Sequence, residues 1–93
     1  MDNIQHSIMR VIDGKRYNTE TATLIASRTT TGCGSHLYRT RHGAYFVAHS
    51  TIWEGSRDSI EIFSEANAVD FWNAHEQEVD LCTAFPNIDI VEA

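Results

Sequence analysis

The segment from His36 to Ile52 constrains this chain more than any other. His36-Leu37-Tyr38-Arg39-Thr40 and Ala44-Tyr45-Phe46-Val47-Ala48-His49-Ser50-Thr51-Ile52 are rich in aromatic and β-branched residues, and Arg41-His42-Gly43 separates them. Two such runs joined by a short segment ending in glycine predict a β-hairpin. A type I turn with Gly43 in the left-handed region sets Thr40 opposite Ala44 and Tyr38 opposite Phe46. A two-residue His42-Gly43 turn would shift the register by one and put His36 opposite His49. The first is favoured, because it places glycine where only glycine is free of strain.

The rest of the chain is read around that hairpin. Ile8-Met9-Arg10-Val11-Ile12 is a strand closed by the turn dipeptide Asp13-Gly14, and Lys15-Arg16-Tyr17 pairs back briefly. Asn18-Thr19-Glu20-Thr21 offers an N-cap, and Ala22, Ile25 and Ala26 recur at i, i+3, i+4. A short helix is therefore expected from Thr19, closed by a loop over Thr29–Ser35. Glu54–Asp58 reads as a loop. Ser59-Ile60-Glu61-Ile62-Phe63 alternates as a third strand with its isoleucines in the core. Ser64 caps a second helix on which Ala68, Phe71, Trp72, His75 and Val79 share one side, opposite Asp70, Asn73, Gln77 and Asp80. Pro86 ends it, and Ile88-Asp89-Ile90-Val91 forms an extended tail that tucks in Ile88 and Ile90.

The fold class expected is α+β, one small domain over residues 1–93. It comprises a short N-terminal strand and helix, a three-stranded antiparallel sheet, and a C-terminal amphipathic helix packed on the sheet. Two cysteines are too few for a disulfide framework, and the N-terminus carries no apolar signal run. A cytoplasmic protein with reduced thiols, outside any membrane, is the expectation. Charge is divided sharply: all seven Lys and Arg fall within residues 1–57, against four acids, whereas residues 58–93 hold nine acids and no base. The halves carry +3 and −9, summing to the net −6. Such asymmetry bears on partners and association rates rather than on fold.

Four chemical readings compete. Cys33-x-x-His36 has ligand spacing, and His42 and His49 lie on the same hairpin, with Cys82 or His75 as a fourth ligand. No second ligand pair accompanies them, so surface histidines are the favoured reading and no metal or other cofactor is expected. Gly32-Cys33-Gly34-Ser35-His36 sets a thiol and a hydroxyl beside an imidazole, but adjacency supplies neither an orienting acid nor an oxyanion site. Tyr38, Arg39, Arg41 and Tyr45 would serve a sheet surface that stacks bases and holds phosphates. Glu65, Asp70, Glu76, Glu78 and Asp80, on and around the second helix, form an acidic surface able to imitate a phosphate backbone in a basic channel.

Ile12-Asp13-Gly14-Lys15-Arg16-Tyr17-Asn18-Thr19-Glu20-Thr21-Ala22, Leu37-Tyr38-Arg39-Thr40-Arg41-His42-Gly43-Ala44-Tyr45-Phe46 and Ile62-Phe63-Ser64-Glu65-Ala66 follow one another in an order that resembles a family of small proteins of phages, plasmids and conjugative elements. Its pattern is a G-K-x-Y-x-T-E-T-A start, an L-Y-x-T-x-x-G-x-Y-F hairpin and an L-S-E-x-x-A helix start. Here Ile62-Phe63 stands before Ser64 in place of Leu. Some members resemble anti-CRISPR proteins, which implies a role in blocking a host defence complex by binding it. The expected function is thus a non-enzymatic inhibitor from a mobile genetic element. It would bind a bacterial protein complex, such as a CRISPR effector, through the acidic surface, with no small-molecule substrate. The alternatives are a small nucleic-acid-binding regulator using Tyr38, Arg39, Arg41 and Tyr45, and a metal-dependent enzyme built on Cys33, His36 and His49.

Overall fold

The computed structural model describes residues 8–30, 32–51, 59–86 and 88. β1 (Met9–Ile12) and β2 (Lys15–Asn18) pair antiparallel with Ile12 opposite Lys15. Asp13 and Gly14 form the turn, with φ of 54° and 73°. Two consecutive left-handed residues suit the right-handed twist of a two-residue hairpin, and an Asp-Gly pair adopts them at low cost. This ribbon is the expected one.

The helix expected from Thr19 is a strand. The Asn18 side chain accepts from the Glu20 amide at 2.9 Å and the Asn18 carbonyl from Thr21 at 3.3 Å. That local turn spends the would-be capping groups and delivers the chain into β3 (Thr23–Thr30). The threonines of this segment decide the matter, because a β-branched side chain loses less freedom on a pleated strand than on a helix. β3 and β4 (Cys33–Arg39) between them take up most of the expected Thr29–Ser35 loop. β5 (Tyr45–Thr51) and β6 (Ser59–Phe63) follow, then α1 (Glu65–Ala74), β7 (Glu76–Gln77) and α2 (Leu81–Ala84). Glu54–Asp58 and the Asp89–Val91 tail lie outside the described residues.

Five strands form one antiparallel sheet in the order β6-β5-β4-β3-β7, beside the separate β1-β2 ribbon. The α+β arrangement of a three-stranded sheet crossed by a C-terminal helix is therefore overturned: the described residues are mostly strand, with two short helices. The β4-β5 hairpin has the favoured register, with Tyr38 opposite Phe46. Thr40 closes it by donating to the Ala44 carbonyl at 2.8 Å, and Gly43 holds φ 87°.

Strand alternation divides the interior between two faces of the sheet. On one face Leu37, Tyr45 and Val47 form a buried cluster with Ala68, Ala84 and Phe85 of the helical layer. Ile25 and Ala26 both join it, because a bulge between Leu24 and Ala26 leaves Ile25 without a partner on β4. On the other face Phe46 is fully buried. Tyr38 stacks on it at 5.3 Å, and Tyr17 of β2 meets its ring edge-on at 5.6 Å. The ribbon and the helices thus cover opposite faces.

The helical layer is shorter than the spacing of its apolar residues predicts. Ser64 is the expected cap, its hydroxyl accepting from the Asn67 amide at 3.1 Å. His75, however, is already extended at the C-cap (φ −128°). Val79 still reaches the core, drawn in where the Trp72 indole donates to its carbonyl at 3.1 Å. Asp80 caps α2 by accepting from Thr83, and Ile88 packs against the cluster as expected. The isoleucine face of β6 is another correction. Phe63 turns to the helices and meets Phe71 at 5.9 Å, whereas Ile62, opposite Phe46, is 44% exposed.

Two outcomes follow for stability in urea unfolding. Phe46→Ala should cost about 3–5 kcal/mol, because it empties the one fully buried ring between sheet and ribbon. Ser64→Ala should cost about 1 kcal/mol by orphaning the Asn67 amide.

Candidate functional site

The carboxylates expected on the outer face of one long helix, Asp70 and Asp80, and those flanking it, Glu65, Glu76 and Glu78, are spread over α1, β7, the segment after it and the start of α2. Glu65 and Asp70 are exposed on α1. Glu76 pairs opposite Ser27 on β7, which places it on the ribbon side of the sheet edge, and the Glu78 amide donates to the Ile25 carbonyl at 3.1 Å. Glu78 lies close enough to His36 to favour its protonated form. Asp80 is held below the usual carboxylate range by the side-chain and backbone hydrogen bonds it accepts from Thr83, so its charge is committed to capping α2. No hydrogen bond or ion pair engages the side chains of Glu65, Asp70, Glu76 and Glu78 among the described residues. This acidic band crosses the edge of the sheet, with Glu65 and Asp70 on the helical layer and Glu76 on the ribbon side of β7.

The hairpin set is mostly absorbed by packing. Arg39 donates through Nη2 to the Thr83 carbonyl at 3.3 Å, and the Tyr45 hydroxyl donates to the Ala84 carbonyl at 3.4 Å. Those carbonyls belong to the last turn of α2, where helical acceptors lack partners, so both side chains serve to dock that helix. Arg39 Nε is buried and makes no hydrogen bond. Tyr45 is buried against Phe85, and Tyr38 is half-buried on Phe46. Burial pushes both phenols up, and the charge of Glu65 raises Tyr45 further against the opposing pull of Arg39. Only Arg41 of the four remains exposed.

The ligand set built on Cys33, His36 and His49 does not converge. His36 pairs opposite Ala48 and His49 opposite Ser35, so the two imidazoles leave opposite faces of the sheet. His42 is exposed in the β4-β5 turn, Cys82 is exposed on α2, and His75 meets the Phe71 ring edge-on at 4.5 Å. The described residues hold no group of three potential ligands within reach of one ion.

Two polar rows emerge instead, each crossing adjacent strands. Ser35 Oγ lies 2.9 Å from His49 Nδ1, and His49 Nε2 lies 3.0 Å from Glu61 Oε1. An ionised Glu61 fixes the Nε2–H tautomer, leaving Nδ1 to accept the Ser35 proton. That is the hydrogen-bond order of a serine, its base and an orienting acid. Ser35, however, is on the central strand β4, flanked by β3 and β5, so amides nearby point into paired ladders and no pair converges on an oxyanion. Strand alternation carries the signal for this row. It became legible only with the register, since His49 and Glu61 lie 12 residues apart.

In the second row His36 Nδ1 lies 3.0 Å from Ser27 Oγ, and Ser27 is buried. Gly34 makes room for that ring: a β-carbon there would stand 3.0 Å from His36 Nε2. A side chain at 34 would require that ring to give by a few tenths of an ångström.

Comparison with protein-family models, curated proteins and solved structures finds no match for the chain.

Burial lowers the affinity of His36 for its proton, with Glu78 opposing it. The unfolded chain therefore takes up this proton more readily than the folded one. Stability should fall as pH drops below the ordinary histidine value of about 6.5. His36→Gln should flatten the decline in unfolding free energy between about pH 7 and about pH 5, measured by urea unfolding at each pH. An unaltered decline would assign it to other groups.

Proposed function

We propose that the chain acts by binding, as a non-enzymatic inhibitor from a mobile genetic element that docks on a basic surface of a bacterial nucleic-acid-handling complex, such as a CRISPR effector. The observation that carries this reading is the exposure of Glu65, Asp70, Glu76 and Glu78 without a counter-ion among the described residues. A folded protein gains nothing in stability from uncompensated like charges, whereas a partner with Lys and Arg gains both association rate and register from them. The resemblance of the Ile12–Ala22, Leu37–Phe46 and Ile62–Ala66 segments to a family of small mobile-element proteins, some of which resemble anti-CRISPR proteins, supports the choice of partner class.

Affinity capture from a nuclease-treated bacterial lysate tests this. The wild-type chain should retain a nucleic-acid-handling complex that is released by added nucleic acid or by raised salt. A variant carrying Glu65→Gln, Asp70→Asn, Glu76→Gln and Glu78→Gln should lose it while unfolding at a similar urea concentration. Equal capture by the neutralised variant would remove the acidic band as the contact surface.

A further inference from the structure

A cleft of about 550 Å³ opens between the β1-β2 ribbon and the β4-β5 turn, lined by Lys15, Arg16, Tyr17, Thr40, His42 and Ala44. A second hollow of about 210 Å³ shares Arg16, Thr40 and His42 with it and adds Arg41. The two hollows are adjacent, with those shared residues between them. Lys15, Arg16 and Arg41 are exposed, and among the described residues none of them makes an ion pair and no carboxylate lines either hollow. Three permanent cations and a titratable imidazole therefore converge where two elements distant in sequence meet. Thr40 Oγ1 accepts from the Ala44 amide at 3.0 Å, which leaves its hydroxyl proton free to be donated into the cleft.

We propose that this cleft binds a phosphate-bearing ligand. Two planar guanidiniums and an ammonium match the several oxygens and the double charge of a phosphate monoester or pyrophosphate better than one carboxylate. The chamber is within the size range of pockets that take small organic ligands, and its Tyr17 and Ala44 walls accept an apolar body attached to the phosphate. The site owes nothing to the acidic band, so each reading stands or fails separately.

Isothermal titration calorimetry at low salt tests it with three probes and one control: inorganic pyrophosphate, AMP, a decathymidylate strand without a terminal phosphate, and adenosine. Pyrophosphate or AMP should bind and adenosine should not. Arg16→Gln and Arg41→Gln should each weaken binding about tenfold or more, whereas Arg28→Gln, at an exposed position of β3 outside the cleft, should change nothing. Preference for AMP over the strand assigns the phosphate to a small molecule, and the reverse assigns it to a nucleic-acid backbone. Absence of binding by all three phosphates, equal binding by adenosine, or indifference to both arginine changes overturns the site.

Discussion

The structure depends on β5 being buried from both sides. Tyr45, Phe46, Val47 and Ala48 are all buried, yet strand alternation sends Phe46 one way and Tyr45 and Val47 the other. A strand apolar on both faces needs two covering layers. The helices supply one, through Ala68, Ala84 and Phe85, and the β1-β2 ribbon supplies the other by setting Tyr17 on Phe46. The ribbon is a two-stranded element of the kind that is marginal alone, and this aromatic contact ties it to the sheet. Lys15 and Arg16 directly precede that tyrosine on β2.

How much of this was legible in the residues depended on how local each determinant is. Asp13-Gly14, Arg41-His42-Gly43 and Ser64 act within a few positions, and each produced the predicted turn or cap. Ala22, Ile25 and Ala26 misled for a specific reason. The bulge at Ile25 puts two consecutive side chains on one face, which breaks the period of two and imitates the spacing of a helical stripe. Val79 misled in a similar way: it reaches the core at helical spacing, but through a connector held by the Trp72 indole. In both cases a tertiary contact, invisible to periodicity, sets where the side chain goes.

The same logic separates the candidate sites. Tyr38, Arg39 and Tyr45 look like a ligand-binding row when read along the chain, but packing consumes them: one covers Phe46 and two hold the carbonyls of α2. Conversely, Ser35, His49 and Glu61 carry no linear motif and meet only because three strands align them. Cross-strand placement, not spacing along the chain, decides which polar groups can act together in a sheet protein.

Charge follows a related course. The basic front and acidic back of the chain are separated only in part, because Glu65 and Asp70 stand on α1 while Glu76 of β7 lies on the ribbon side of the sheet. Lys15, Arg16 and Arg41 gather at one end of the ribbon face, and Glu65 and Asp70 stand on the helical layer beyond the sheet. Opposite charges held apart by a packed sheet cannot neutralise one another by side-chain movement, since the interior between them is too dense to rearrange cheaply. The field of the molecule is therefore built into its fold. A ligand or partner of either sign meets a surface already charged to receive it, and pays little to organise that surface on binding.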